Sequence, residues 1–170
     1  MSYTDGPRRA LTLDDIVVAE HPRETVDEYL CSNHYLDGQP SPQTIYRYII
    51  TGGIRYGWIG GAMWGKPVAR NEDQTDTLEL LRFWTEDWTP KNTESYALSR
   101  MIRDIDKKGT HSRLIAYAST GQDHEGGIYK ATNWEDAGVR KTNSGDGWGT
   151  RENRSNDDTS AKRKFEYLLE

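Results

Sequence analysis

Two nearly continuous apolar stretches, TLELLRFW at 77–84 and RLIAYAS at 113–119, flank a segment with helical periodicity, and this unit constrains the fold more than anything else in the chain. Strands apolar on both faces belong in the middle of a sheet. Between them Leu98, Met101, Ile102 and Ile105 follow the i, i+3, i+4, i+7 rule and make one apolar stripe. Asn92 or Thr93 can cap that helix, Glu94 suits its first turn, and Gly109 can end it. A strand–helix–strand crossover is right-handed and leaves its strands parallel. Strands 77–84 and 113–119 are therefore expected to be adjacent and parallel, splayed at one end into a cleft.

The other segments dress this unit. Residues 13–20 read as a first strand, and 23–32, behind Pro22, as a short helix. TIYRYIIT (44–51) and IRYGWIGGAMWG (54–65) read as a hairpin turning at Gly52-Gly53. The glycines of its second strand imply bulges or close approach of another group. GGIYKATNWEDAG reads as a short helix ended by Gly138, a polar loop covers about 140–162, and KRKFEYLL reads as a last strand. The expectation is one α/β domain, 1–170, with a mixed sheet.

At 170 residues the chain suits one core, and six Trp and ten Tyr compensate for a hydrophobic content of 34%. No apolar run approaches the roughly 18 residues that span a bilayer, and MSYTDGPRRA has no apolar segment behind its arginines, so neither membrane span nor signal peptide is expected. Cys31 is the single cysteine, which excludes an internal disulfide and fits the cytoplasm of a host cell. The net charge of −5 argues against a protein that coats nucleic acid. Basic residues do gather in Arg140, Lys141, Arg151, Arg154 and 162–164. Interspersed acids favour reading them as a solvated tail.

No GxGxxG, Walker loop, HExxH, CxxC or GxSxG is present, so chemistry must come from isolated polar residues. Arg82 sits inside an apolar strand and needs a carboxylate or a ligand anion. The helix start at Lys91, Asn92, Thr93 and Ser95 offers donors to an anion, although ordinary capping is the plainer reading. His34, beside Tyr35 in a loop, is of a residue type whose ordinary pKa near neutrality suits a general base or a metal ligand; no metal is predicted. His124 is a weaker candidate of that kind. Tyr129 could donate a proton, and a core aromatic is the simpler alternative.

Several pieces resemble the phage Mom-like DNA-modification family: L-x-R-F, P-K-N-T-x-S-Y-x-L-S-R, S-x-L-I-x-Y-A, H-x-G-x-I-Y-x-A-T-x-W, the pair His34-Tyr35, and the late K-R-K-x-x-Y. The resemblance is tight over half the chain and implies a fold similar to GNAT N-acyltransferases. It implies an enzyme that alters the N6 amine of adenine in double-stranded DNA by acyl- or carbamoyl-type transfer, shielding the DNA from restriction. It puts His34, Tyr35, Arg82, Ser119 and Tyr129 at or near the active site. It puts Lys91, Asn92, Ser95 and Ser99 where such proteins hold acyl-CoA, such as acetyl-CoA. A Tyr placed like Tyr129 protonates the departing thiolate in ordinary GNAT enzymes. Two departures stand out. TEDWTPKN lacks the glycines of the usual pyrophosphate loop, and Tyr117-Ala118-Ser119 stands where relatives carry Tyr-Ala-Asp, with Asp123 the nearest substitute. The alternatives are an N-acyltransferase for a small-molecule or protein amine, which the acidic charge favours, and a non-catalytic relative. For the DNA reading a flipped base is expected, with Trp64 or Trp88 as stacking surfaces.

Overall fold

The computed structural model describes residues 10–33, 42–119, 126–140 and 161–170. Seven strands are β1 (Val17–Glu20), β2 (Thr44–Thr51), β3 (Trp58–Gly65), β4 (Thr77–Thr85), β5 (Arg113–Ser119), β6 (Glu135–Arg140) and β7 (Lys162–Leu168). They form one sheet in the order β1-β2-β3-β4-β5-β7-β6. The helices are α1 (Arg23–Asn33), a single turn α2 (Gly53–Tyr56), α3 (Thr93–Lys108) and the short α4 (Gly127–Ala131). Among the described strands only β4 and β5 pair in parallel, as the crossover requires.

Each face of the sheet carries its own core. The stripe of α3, with Leu98, Met101 and Ile105, packs on Trp64, Leu78, Leu114, Ala116 and Phe165. On the opposite face Val26 and Leu30 of α1 meet Ile49 and Met63. Three expectations need correction. Residues 13–15 form a 3-10 turn, so β1 begins only at Val17. Residues 53–56 coil into α2 before β3 starts. The expected helix through Gly138 stops at Ala131: Asn133 takes a left-handed φ of 65°, Trp134 turns into the core, and EDAGVR pairs with β7 as the sheet's edge. Both faces of that edge are largely exposed, so its sequence lacks the alternation that signals a strand.

The cleft comes from how β4 and β5 part. Only Thr77, Leu78 and Glu79 pair with Arg113, Leu114 and Ile115. Just beyond, Met63 opposes Arg82 and Trp64 opposes Leu80, which leaves Leu81 as an extra residue. Such a bulge bends and twists its strand, and β4 follows β3 while β5 stays with β7 to Ser119. Between the departing halves no strand intervenes among the described residues.

Below the fork an ion network closes the α1 side of the sheet. Glu72, from the 66–76 connection, takes Lys164 and Arg113, the latter at 3.0 Å, and Glu166 takes the same two cations at 2.7 and 2.8 Å. Lys164 is therefore a buried structural cation, not part of a solvated tail, and Arg163 pairs with Asp136 at 2.5 Å. Burial alone would raise the Glu72 carboxyl, but Lys164 and Arg113 outweigh it and hold it below the usual range. Glu79 lies beside this network. Burial pushes its carboxyl up to about 6, against one hydrogen bond from the Val68 N–H at 2.8 Å.

The two kinds of shift act oppositely on stability. The depressed Glu72 and Glu166 stabilise the fold above the ordinary glutamate range, and that contribution is lost as pH falls through their folded values. Glu79 contributes most below the ordinary range and loses its contribution as pH rises through about 6. Glu79→Gln should therefore be more stable than the wild type by roughly 2 kcal/mol at about pH 8 and equal to it near pH 4, measured by urea denaturation.

Candidate active site

Past the end of β4 lies a cavity of about 410 Å³ lined by Thr85, the 86–93 turn, the first turn of α3 and one face of α4; Arg82, Ser119 and Tyr129 do not line it. Tyr129 projects from α4 into the core on the α3 side. It is 8% exposed, stacked on Phe165 (centroids 4.8 Å apart) and edge-on to Trp134 at 5.3 Å. Gly126 makes this seating possible: its φ is 73°, and a Cβ there would meet the Phe165 ring at 2.2 Å.

Arg82 points the other way. Its Nη1 donates to the Cys31 sulfur at 3.3 Å, so the guanidinium stands on the α1 side. Ser119, the last residue of β5, is buried. Leu114, Ala116 and Ala118 belong to the core under α3, and strand alternation gives Tyr117 and Ser119 to the α1 side with Arg82. The expected convergence of Arg82 and Tyr129 in one pocket is thus not found. They occupy opposite faces and can act on one ligand only across the open fork. His34, Tyr35, Asp123 and His124 lie outside the described residues.

The helix start has a definite chemistry. Asn92 and Ser95 line the cavity, whereas Lys91 and Ser99 are not among its lining residues. Asn92 is the N-cap but takes a left-handed φ of 69° and makes no side-chain cap. The hydroxyls of Thr93, Ser95 and Ser99 donate to Pro90, Asn92 and Tyr96 carbonyls, and the Thr93 N–H donates to Pro90. Glu86, Asp87 and Glu94 face the same space, and Glu94 accepts a hydrogen bond from Thr85 Oγ1 at 3.2 Å. A carboxylate of the chain itself therefore answers the positive end of α3. These residues fit the pyrophosphate of acyl-CoA poorly: the hydroxyl donors are used locally and three carboxylates would repel it.

Sequence reading missed this acidic lining, although Glu86-Asp87 directly after an apolar strand was its visible sign. It also missed Tyr117, whose phenol is pushed up to about 12 by burial and by the Glu79 and Glu72 carboxylates. Trp64 is wholly buried and cannot offer a stacking surface, while Trp88 is 55% exposed. Among the described residues no group of three or more His, Cys, Asp or Glu is placed to hold a metal, and no helix is long and apolar enough to cross a membrane.

A mixed sheet forked between its fourth and fifth strands, with a helix start at the fork, is the fold of the GNAT acetyltransferases. The chain superposes on an IAA acetyltransferase from Bacillus cereus with a TM-score of 0.61 at 11% identity, covering 91% of this chain and 99% of that one. A GNAT family acetyltransferase from Elizabethkingia anophelis with acetyl-CoA bound gives 0.56 at 13% identity, covering 92% and 99%. Against the ribosomal-protein-S5-alanine acetyltransferase from Vibrio fischeri the TM-score is 0.54 at 10% identity; 73% of this chain matches 61% of that protein's length. At such identities the likeness is one of fold. The chain belongs to the Mom protein family, whose model matches residues 15–168. No curated protein matches it.

The carboxylates give a direct expectation. Acetyl-CoA in millimolar excess should produce no saturable heat in a calorimetric titration, and Glu86→Gln with Asp87→Asn should make weak binding measurable. Tight binding by the unaltered protein would show that the lining does not repel the donor.

Proposed function

We propose that this protein modifies the exocyclic N6 amine of adenine in DNA by acyl- or carbamoyl-type transfer. The observation that carries the reading is the fork between β4 and β5 in a chain whose family match spans 15–168. A fork of this kind gives an amine access to a carbonyl carbon held between two strand ends. The amine lone pair forms the new N–C bond, the bond from that carbon to the leaving group breaks, the nitrogen loses a proton, and the leaving group gains one. Tyr129 fits the acid: an ordinary phenol is protonated at neutral pH. His34 fits the base, since an ordinary imidazole is largely neutral there. Arg82 and Ser119, together on the α1 side, fit the holding of the acceptor or of negative charge on the reacting carbonyl. The acidic lining favours a donor whose activated group is not carried on a polyphosphate.

A second reading draws on the same lining. Glu86, Asp87 and Glu94 would attract a cationic amine, as in an N-acyltransferase acting on a small molecule or a protein.

Expressing the protein with a plasmid and digesting that DNA to nucleosides separates the two. The DNA reading expects a deoxyadenosine of increased mass, and its absence alongside a modified protein or small amine supports the second reading. Tyr129→Phe keeps the ring packing, so it should fold normally and lower the yield of modified nucleoside about 10²–10⁴-fold; an unchanged yield would remove Tyr129 from the chemistry.

A further inference from the structure

We propose that the β2–β3 turn is a wedge that enters the base stack of duplex DNA beside the cleft, with Ile54 as the inserted side chain; this rests on the adenine reading above. Ile54 has a relative exposure of 107%, so nothing among the described residues covers it. Two main-chain hydrogen bonds close the turn that carries it. The Gly52 N–H donates to the Gly57 carbonyl at 2.9 Å and the Gly57 N–H to the Gly53 carbonyl at 3.0 Å. Gly53 and Gly57 take φ of 75° and 63°, which L side chains rarely adopt, so this sequence is built for this turn.

The turn stands at the mouth of the cleft. It joins the ends of β2 and β3 on the side where Gly60 pairs with Thr85, the last residue of β4 and part of the cavity lining. Trp88, from the segment that follows β4, packs against Tyr56 of the turn with ring centroids 5.7 Å apart. A wedge here would sit next to the place where an extracted base must enter.

The chemistry requires such a device. Adenine N6 in a duplex is paired and stacked, and extraction costs a few kcal/mol. Proteins that unstack DNA insert apolar side chains such as Ile between base steps. One cation stands beside the inserted residue and others lie further along the same side of the sheet. Arg55 is exposed beside Ile54. A groove of about 730 Å³ between β1 and α3 begins at Val17, which pairs with Thr51 at the foot of the turn. Arg100, Arg103 and Lys107 line it at i, i+3 and i+7 on α3, suited to phosphates, while its carboxylates Glu20 and Asp104 pair with Lys108. Val17, Trp58 and Trp88 are also exposed around the turn, so a protein partner is the competing occupant, although a stable interface needs about 800 Å² per side.

A duplex carrying 2-aminopurine at its adenine positions tests the proposal, since that base brightens when unstacked. The full-length protein should bind the duplex and raise the fluorescence. Ile54→Ser should bind with similar affinity, keep its circular dichroism, and lose most of the rise, while Ile54→Leu retains it. Binding without a rise, the same rise from Ile54→Ser, or loss of binding by both variants overturns the wedge. So does self-association that Ile54→Ser abolishes. Nucleoside analysis of plasmid from the same strains separates the two claims. Modified deoxyadenosine at equal yield, with equal fluorescence from Ile54→Ser, removes the wedge and leaves the adenine reading standing. A wild type that neither binds duplex nor modifies adenine removes both.

Discussion

Everything that makes this fold a site depends on β4 and β5 ceasing to pair after three residues. A continuous parallel ladder would close the sheet and leave a flat surface between α3 and α1. The bulge at Leu81 turns β4 away at the point where the pairing stops, and β7 holds β5 on the far side. The fork is stabilised from below. Lys164, Arg113, Glu72 and Glu166 bind the 66–76 connection to β5 and β7 under the paired segment. Breaking one partner of such a buried network leaves charges uncompensated, so the network fixes where the strands are together and thus where they part.

The fork also divides labour between faces. On the α3 side Tyr129 is wedged between Phe165 and Trp134 beside a cavity rimmed with carboxylates. On the α1 side Arg82 reaches Cys31. Groups separated in this way can meet one ligand only through the gap, which favours a flat acceptor presented edge-on. The same carboxylates that disfavour a polyphosphate donor also disfavour DNA phosphates inside the cleft, so a base would enter without its backbone.

Much of the fold was legible because its signals are local and strong. The strand–helix–strand unit showed in the apolar runs and in the four-residue stripe of α3, all of it buried. What escaped depends on tertiary contacts. The edge strand β6 has no period, because both its faces meet solvent and only pairing with β7 makes it a strand. Lys164 read as one cation in a basic tail, since nothing nearby in sequence announces Glu72, 92 residues away. Arg82 read as out of place in its strand, but strand parity through a bulge decides its face, and a bulge cannot be counted from sequence.

Filling the cavity past the end of β4 tests the central claim most directly. Ala131 lines the cavity from the exposed side of α4, so Ala131→Trp should fill much of that space without disturbing the core. The measurement is the amount of modified deoxyadenosine in plasmid DNA from cells making this variant, with thermal unfolding as the control. The account predicts an unchanged unfolding temperature and loss of the modified nucleoside. A variant that folds normally and modifies DNA as fully as the wild type would contradict it.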